Sequence, residues 1–311
     1  MGTWIRHGQG GYDLSAKVTV VLLIWNEWHH TLACLSSLQQ LDYPTFDVVV
    51  IDNGSTDDSA VRIRETFPWV KLIENGKNLG FSGGCNVGIK YAQQQGSDFI
   101  WLLNNDTTVD PGALRAMVKK AQSDPRIGAV GSLIYFMDEP TRLQCWGGGY
   151  VSFWLGRSGH FLQEVEDHKV EFITGCSLLL SRAAINEVGP LDEGFFMYWE
   201  DADICFRLRR AGWLLVVAVN SKLWHKGYTS IGKGKVSSYG NFNASAARFF
   251  RKHAPAPLYS VWVGFALRLG KRIVAGDRER LRATWNGMKQ GRLMPRPVAS
   301  YGGKSVPHQR Q

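Results

Sequence analysis

The 311-residue sequence has no long hydrophobic run. Arg268 interrupts its most apolar C-terminal stretch, and no segment reaches the ~20 apolar residues that a membrane-spanning helix needs. The N-terminal residues lack the apolar core of a signal peptide, and Arg6 stands where the myristoylation pattern has Ser or Thr. These absences argue against a spanning, secreted or N-myristoylated protein, so we expect a cytoplasmic one.

Cysteine is scarce, with five scattered residues and no CxxC pair. An odd, scattered set does not suit a disulfide framework and is more typical of a reducing compartment. Low-complexity runs are also missing, while apolar residues make up 44% of the chain and aromatic residues 12%. That composition supplies a large hydrophobic core and argues against a disordered chain.

Acidic residues are nearly absent from the C-terminal segment. Residues 245–311 contain 14 Lys and Arg but only two acids, Asp277 and Glu279, for a net charge of +12. The first 244 residues contain 22 basic and 25 acidic residues, or −3, so the +9 of the whole chain is a property of its tail. We recognise no nucleic-acid-binding module and expect no nucleic-acid partner.

The first half of the sequence alternates between strand and helix patterns. Apolar, β-branched runs predict strands over residues 18–25, 47–52, 69–74, 98–106 and 127–136. Helices are predicted between them, for example over 30–40 and in the segment that "PGALRAMVKKA" opens with proline. Strands alternating with helices of this length predict an α/β fold with a parallel sheet covered on both faces.

The second half is less regular. Further strands are predicted in "FITGCSLLLS" and "LLVVAVNSKLWH", around a helix that begins near Glu200, and "GGGYVSFWLGRSG" predicts a loop or hairpin near the site. A helical stripe then follows, with spacings of three and four residues and with Arg and Lys beside it. Its members are Leu258, Val261, Trp262, Phe265, Leu269 and Ile273. We predict an N-terminal extension (1–16), a main domain (17–253) and a basic helical appendage (254–311).

Polar residues stand at the carboxyl ends of three predicted strands. They are Asn26 after the first strand, Asp52 at the end of the second, and Asn104, Asn105 and Asp106 at the end of the fourth. Ligands of open α/β sheets bind in the crevice beyond these strand ends. The residues therefore predict one crevice that suits a base, a ribose and a metal-bound diphosphate.

Four motifs in order carry a resemblance to a known family. "VVVIDNGSTDDS", "NLGFSGGCNVGI", "WLLNNDTTVDPGAL" and "LDEGFFMYWEDADICFRLRRAGW" together resemble the inverting, nucleotide-sugar-dependent glycosyltransferases of family 2, over residues 17–229. The resemblance implies the GT-A fold, a Rossmann-like, mostly parallel sheet flanked by helices. "NNDTTVDP" and "FMYWEDAD" look most like the rhamnosyltransferase branch. This resemblance implies transfer of a sugar from a dTDP- or UDP-sugar donor to a hydroxyl of a cell-surface glycan or lipid-linked precursor. The donor that it favours most is dTDP-rhamnose.

The resemblance also implies where the donor and a divalent cation, Mg²⁺ or Mn²⁺, bind. The motif that ends in Asp106 occupies the position of the family's metal-binding DxD, with Asn104 in place of the first carboxylate, and His225 matches a further metal ligand. The implied nucleotide- and donor-binding residues are Asn26, Asp52, Asn78, Gly83, Asn104, Asn105 and Asp106. The residues alone allow other interpretations. Asp52 could form an Asx-turn, the glycines around Gly83 could form an ordinary loop, and His225 could be a structural histidine.

The segment "YWEDAD" contains the candidate catalytic acids. By family pattern Asp201 is the base that deprotonates the acceptor hydroxyl, and Glu200 orients the acceptor or the base. The aromatic residues before them would desolvate a carboxylate and raise its pKa toward working pH. Asp203 is four residues before Arg207, which predicts a helical ion pair. The alternative is a charged first helical turn favoured by the helix dipole.

Two other functions remain open at this point. One is a catalytically silent relative that binds nucleotide or carbohydrate as a membrane-tethered scaffold. The other is a nucleotidyltransferase, although "IWNEWHH" is not the Gly-rich, basic phosphate loop that such an enzyme should carry. The basic amphipathic tail predicts peripheral binding to an anionic membrane surface, on the inner face of the plasma membrane. The alternative for the tail is a helix packed on the main domain with a solvated basic face.

Overall fold

The computed structural model describes residues 13–227 and 236–293. The predicted extension up to residue 12, the last two residues of the family resemblance (228 and 229) and the tail beyond 293 lie outside these ranges. The first half consists of β1 (Val18–Ile24), α1 (Trp28–Leu38), β2 (Phe46–Asp52), α2 (Ser59–Thr66), β3 (Lys71–Glu74), α3 (Gly80–Gln94), β4 (Phe99–Asn104), β5 (Thr107–Val109), α4 (Ala113–Ala121) and β6 (Ile127–Phe136).

The second half begins with short strands and ends in three long helices. Its elements are β7 (Leu143–Trp146), β8 (Gly148–Ser152), β9 (Arg157–His160), a 3₁₀ turn (Asp167–Lys169), β10 (Phe172–Ile173), β11 (Ser177–Ser181), α5 (Arg182–Val188), α6 (Glu200–Arg210), β12 (Leu214–His225), α7 (Val236–His253), α8 (Pro257–Val274) and α9 (Arg278–Leu293). The Gly-rich segment forms the predicted hairpin, because β8 and β9 pair antiparallel.

Nine strands in the described ranges form one mixed sheet in the order β3-β2-β1-β4-β11-β6-β12-β5, with β7 paired to β6. The strands β3, β2, β1 and β4 are parallel neighbours, as the alternating pattern predicts. The sequence predicts a strand in the segment that contains β11, but not that β11 is inserted antiparallel between β4 and β6. The carboxyl ends of β1, β2 and β4 therefore meet at one edge of the sheet.

Both faces of the sheet are covered by a hydrophobic core. On β1, Val21 belongs to the core beneath α3, α5, α6 and α7, whereas Val20 and Leu22 belong to the core beneath α1 and α4. This alternation follows from the two-residue period of a strand. It explains why β1 reads as a continuous apolar run, because side chains on both faces are buried.

Helix α3 approaches β1 closely because of its glycines. A Cβ at Gly84 would lie 2.3 Å from Leu23 Cδ1, and a Cβ at Gly88 would lie 2.3 Å from Val21 Cγ1. Gly84 and Gly88 stand four residues apart on one face of the helix, so together they let the helix backbone rest on the strand. The close packing places the start of α3 beside the carboxyl ends of β1 and β2.

We expect Gly88→Ala to destabilise the protein. Val21 is buried and β-branched, so it has little freedom to move away from a new methyl group. Overpacking of this kind costs about 1–3 kcal/mol, against a gain of about 1 kcal/mol in helix propensity. Urea unfolding should show a lower midpoint for Gly88→Ala. The control is Gly270→Ala in α8, where a Cβ meets nothing within 4 Å and only the propensity gain applies. Equal shifts in both variants would contradict the packing argument.

The three C-terminal helices pack on one another and on the main sheet domain. Val261 and Phe265 of α8 are buried, and Gly287 of α9 approaches the backbone of Gly240 in α7. The predicted boundary between residues 253 and 254 falls in the turn between α7 and α8 and stays a prediction. Among the helices of the described ranges, none is long and apolar enough to cross a bilayer.

Candidate active site

Four non-glycine residues of the described chain have positive φ, and all four lie at two junctions. Asn26 and Glu27 connect β1 to α1, and Tyr198 and Trp199 directly precede α6. Such backbone conformations cost free energy and cluster at functional sites. The two strained junctions therefore mark the carboxyl end of β1 and the start of α6 as candidate parts of a site.

The β1 and β2 ends are connected by short side-chain hydrogen bonds. Asp52 Oδ1 accepts from both the backbone N–H (3.0 Å) and the hydroxyl (2.5 Å) of Ser55. The Asn26 side chain accepts from the Thr56 N–H at 2.8 Å, and the Asn26 N–H donates to Ser55 Oγ at 2.8 Å. Asp52 thus forms the turn that the alternative interpretation predicted, and both predicted donor residues also shape the loop after β2.

Asn53 fixes the start of α3, although sequence reasoning did not assign it a role. Its Nδ2 donates to Asn78 Oδ1 (3.0 Å) and to the Gly80 carbonyl (3.0 Å), while its Oδ1 accepts from the Leu79 N–H (3.0 Å). The Asn78 side chain also accepts from the Gly80 N–H at 2.8 Å. Gly83 is buried inside the first turns of α3. Asn78 and Gly83 therefore lie next to the predicted crevice mainly as parts of its frame.

The third strand end is shorter than predicted. β4 ends at Asn104, so Asn105 and Asp106 lie in the turn before β5. Asn105 Nδ2 donates to Thr31 Oγ1 of α1 at 2.9 Å. Asn104 Nδ2 lies 3.5 Å from His225 Nε2, at the end of β12. The pairing of β12 with β5 is what brings His225 to this turn from more than a hundred residues away.

Asp106 and His225 form a close pair. Asp106 Oδ1 lies 3.2 Å from His225 Nε2, and the Asp106 side chain is almost fully buried. His225 Nδ1 donates to Gln144 Oε1 at 2.8 Å, which turns Nε2 toward Asp106. Burial alone lowers the pKa of His225, but Cys176 and Asp106 outweigh it and raise the pKa to about 11. The two predicted metal ligands are thus brought together.

The pair fits a divalent cation. A carboxylate oxygen and an imidazole nitrogen are both ordinary ligands of Mn²⁺, and a carboxylate also suits Mg²⁺. A cation that binds His225 Nε2 would displace the proton of that nitrogen. Within the described residues no group of three or more His, Cys, Asp or Glu side chains is arranged for a metal. The described part of the chain therefore offers two ligands here, and a bound diphosphate and water would have to supply the rest.

Asp201 is a half-buried carboxylate at the start of α6. Its Oδ2 accepts from the Gly175 N–H at 2.9 Å, and its Oδ1 accepts from the Ala202 N–H at 2.7 Å. Burial raises the pKa of Asp201 above its ordinary value, although both hydrogen bonds and the nearby His160 oppose this shift. A partly accessible carboxylate with a raised pKa is suited to general-base chemistry.

The carboxylate of Asp201 and the Asp106–His225 pair lie in one region. Gly175 binds Asp201, and the carbonyl of the next residue, Cys176, accepts from the Asn104 N–H at 3.0 Å. His160 of β9 interacts electrostatically with both Asp201 and His225. The candidate base and the strand end that precedes Asp106 therefore contact two consecutive residues, Gly175 and Cys176.

Glu200 occupies a different environment from its neighbour. It is only 6% exposed, and its Oε2 has no hydrogen-bond partner. Burial, followed by the charge of Asp201, raises the pKa of Glu200 well above its ordinary value. Burial therefore favours the neutral form of the Glu200 side chain.

The aromatic run before α6 is mostly core. Phe195 and Trp199 are buried, and the Trp199 ring packs on Phe249 and Phe250 of α7 at centroid distances of 4.8 and 5.1 Å. Phe196 is partly exposed, and its carbonyl accepts from the first turn of α3 at 2.6 Å. The run therefore anchors the strained turn that presents Asp201 and connects it to the frame of the nucleotide crevice.

Three further residues contact the candidate groups or interact with them electrostatically, and these residues were not predicted. They are Gln144, which orients His225; Gly175, which donates to Asp201; and His160. His160 carried a weak signal, because it closes the Gly-rich segment that predicts a hairpin near the site. Gln144 and Gly175 reach the site only through long-range pairing of short strands, for which one sequence gives no periodicity.

A half-buried carboxylate near an Asp–His pair that fits a cation, at the carboxyl edge of a mostly parallel sheet, is typical of an enzyme that transfers a group from a phosphorylated donor. The family model described as "Glycosyl transferase family 2" matches residues 19–189 of this chain. That range is more than half of the sequence, and the protein belongs to this family. The predicted glycosyltransferase family is thus confirmed.

Proteins with similar sequences include a rhamnosyltransferase and a hexosyltransferase. An N-acetylglucosaminyl-diphospho-decaprenol L-rhamnosyltransferase of Mycobacterium tuberculosis is 29% identical over 243 residues, which cover 70% of this chain and 78% of that protein. A low-salt glycan biosynthesis hexosyltransferase of Haloferax volcanii is 29% identical over 172 residues, which cover 53% of each chain. Both likenesses agree with a glycosyltransferase of family 2.

Solved structures confirm the predicted GT-A-like fold. A mannosyltransferase from Pyrobaculum calidifontis, in complex with GDP-Man and Mn²⁺, aligns with a TM-score of 0.58 at 17% identity, over 91% of this chain and 88% of that one. A structure described as GalNAc-T7 with UDP, GalNAc and Mn²⁺ gives 0.65 at 14% identity, over 90% and 56%. Both neighbours are described with a nucleotide ligand and Mn²⁺.

Proposed function

We propose that the protein is an inverting glycosyltransferase that moves rhamnose from dTDP-rhamnose to a hydroxyl of a lipid-linked or cell-surface glycan precursor. The observation that carries the proposal is the Asp201 carboxylate, half-buried with a raised pKa beside the Asp106–His225 pair. An inverting transfer needs one base on the acceptor side and charge neutralisation on the donor side, and this region supplies both.

Each acidic residue has a separate role in this proposal. Asp201 accepts the proton of the acceptor hydroxyl as its oxygen attacks the anomeric carbon and the donor diphosphate departs. The N–H of Gly175 holds the Asp201 carboxylate in place. Asp106 and His225 would hold the divalent cation, which supplies Lewis-acid neutralisation of the leaving diphosphate. Glu200 supports the turn that presents Asp201.

The nucleotide part of the donor is proposed to lie at the ends of β1 and β2. Asp52, Asn26 and the backbone around Asn78 lie at that edge. Asn104 and Asn105 would contact the ribose or the diphosphate beside Asp106.

The choice of rhamnose and of the acceptor rests on the 29% identical relative, whose name gives an L-rhamnosyl transfer to a diphospho-decaprenol carrier. We further propose that the reaction takes place on the cytoplasmic side of the membrane. All five cysteines are free and buried, which suits a reducing compartment.

The first test is donor turnover across dTDP-, UDP- and GDP-sugars, each with Mg²⁺, Mn²⁺ or EDTA. We expect slow hydrolysis of dTDP-rhamnose with either cation, and loss of that hydrolysis with EDTA. Turnover of another donor in its place would retain the transferase and overturn the rhamnose assignment.

The silent-relative alternative makes an opposite prediction in the same experiment. Calorimetry should then detect a bound nucleotide or sugar with no turnover of any donor, even after the acceptor lipid is added. Absence of nucleotide binding by calorimetry, together with absence of turnover, would contradict the proposed enzyme.

A further inference from the structure

Helix α8 has an outward face without charge. The exposed residues on this face, called here the outer face of α8, are Leu258, Tyr259, Trp262, Ala266, Leu267, Ile273 and Val274. Leu258 is 69% exposed, Ile273 62% and Val274 90%. Within α8 the one exposed charged residue is Lys271, at the edge of this face. Such a wide apolar face on an 18-residue helix is far more than scattered surface residues explain.

The outer face differs from the stripe that the sequence predicts. Val261 and Phe265, two members of that stripe, are buried against the rest of the protein, whereas Leu267 and Val274 lie outside it and are exposed. The alternative interpretation, a helix packed on the main domain, is correct for the inner side of α8. Its further expectation of a solvated basic outer face is wrong, because the outward residues are apolar.

The outer face continues onto the tip of the β8–β9 hairpin. Trp154 is 70% exposed, and its ring packs against the Tyr259 ring with a centroid distance of 5.8 Å. Gly156 packs directly on the α8 backbone, where an added Cβ would lie 2.1 Å from the Ser260 carbonyl oxygen. Arg268 donates to the Gly156 carbonyl at 2.8 Å. The hairpin tip and α8 thus form one continuous, fixed apolar surface.

Basic side chains flank this surface. Arg157 follows the hairpin tip, Lys271 lies at the end of α8, and exposed Arg278, Arg282 and Lys289 lie on α9. An apolar helix face with Lys and Arg beside it is the pattern of a helix that lies in the interface of an anionic bilayer. The net charge of +12 over residues 245–311 complements such a surface.

We propose that the outer face of α8 and the tip of the β8–β9 hairpin dock into an anionic phospholipid surface, with α8 lying in the plane of the membrane. The hairpin connects this surface to the site through strand pairing. His160 at the far end of β9 is opposite Gly149 of β8, and Gly149 is opposite Phe172 of β10. Three residues further along the chain, the Gly175 N–H donates to Asp201. His160 is six positions after Trp154 in the chain, so the two backbones are at most ~20 Å apart. A sugar on a membrane-embedded diphosphate lipid is then within reach of Asp201, and only this last step rests on the proposed function.

The test is flotation of the full-length protein with vesicles of phosphatidylcholine alone or with phosphatidylglycerol added. The outer-face variant is Leu258→Asp with Ile273→Asp, both exposed positions. The matched control is Val61→Asp with Val219→Asp, which adds the same charge at two other exposed apolar residues. We expect wild type and control to bind the anionic vesicles alike, and the outer-face variant to bind on the order of tenfold more weakly.

Other results would overturn the proposal. If the outer-face variant binds anionic vesicles as strongly as wild type does, the outer face of α8 is not the docking surface. If wild type binds both vesicle types equally, the partner is not an anionic lipid. A wild-type dimer that becomes a monomer in the outer-face variant, without vesicle binding, would show that a second copy covers this face. Flotation requires no donor, and donor hydrolysis should be unchanged in the outer-face variant, so failure of the proposed transfer is distinguishable.

Discussion

Replacing Asp201 with Asn should reduce kcat/KM for sugar transfer by about 10²–10⁴-fold, the usual contribution of a general base. The amide oxygen can still accept from the Gly175 N–H, so the geometry of α6 is retained. Donor affinity, measured by calorimetry with the nucleotide diphosphate and Mn²⁺, should stay unchanged. The substitution removes only the group that takes the acceptor proton.

Glu200→Gln is the matched control for Asp201→Asn. Burial raises the pKa of Glu200 well above its ordinary value and favours its neutral form, which an amide resembles closely. We expect near wild-type turnover from this variant. A large loss from Glu200→Gln with little loss from Asp201→Asn would reverse the assignment of the base.

The pH profile follows from the same carboxylate. The pKa of Asp201 is raised above 3.8, mainly by burial, and the base works only when ionised. kcat/KM should therefore fall on the acidic side with an apparent pKa above that of an ordinary aspartate. Asp201→Asn should lose this acidic limb, and a limb that persists would belong to another group.

The parts of the fold that the sequence predicts are those with strong local patterns. β1, β2 and β6 are buried apolar runs, and the observed strands differ from the predicted ones by one residue or less. The position of β11 between β4 and β6 was not predicted, since periodicity identifies a strand but not its neighbour. β5 was missed because its three residues are too few to show a pattern.

In the candidate site, too, the residues that belong to sequence motifs were predicted and their distant partners were not. Asp106, Asp201 and His225 were found through motifs, and the structure brings the first and last within 3.2 Å. Asp203 and Arg207 form the predicted ion pair, at 2.9 Å. Partners from distant strands and from α7 were not predicted, because their contacts depend on the tertiary packing of elements that carry no shared sequence signal.

Asp203 is the largest example of such a missed contact. Its fully buried carboxylate accepts from Arg207 Nε on one oxygen, and from His253 Nε2 and Lys252 Nζ, both at 2.7 Å, on the other. Burial alone would raise the pKa of Asp203, but the His253 hydrogen bond and the charges of Arg207 and Lys252 hold it far below its ordinary value. The carboxylate thus fastens α6, which presents Asp201, to α7.

We expect Asp203→Ala to destabilise the protein by about 3–5 kcal/mol, because it leaves buried cations without their anion. Urea unfolding measures the loss. The control is Asp58→Ala, which removes another i,i+4 pair with an arginine, Arg62, but one that is half exposed. Solvent screens that pair, so little change is expected.

The pH dependence of stability gives an independent check on the same network. The folded pKa of Asp203 lies below its unfolded value of 3.8, so its stabilisation is complete well above pH 3.8 and is lost as the pH falls toward the folded pKa. Unfolding curves of wild type and Asp203→Ala should therefore converge in strong acid and separate between that region and neutral pH. A constant difference at all pH values would mean that Asp203 stabilises α6 by packing and not by its charge.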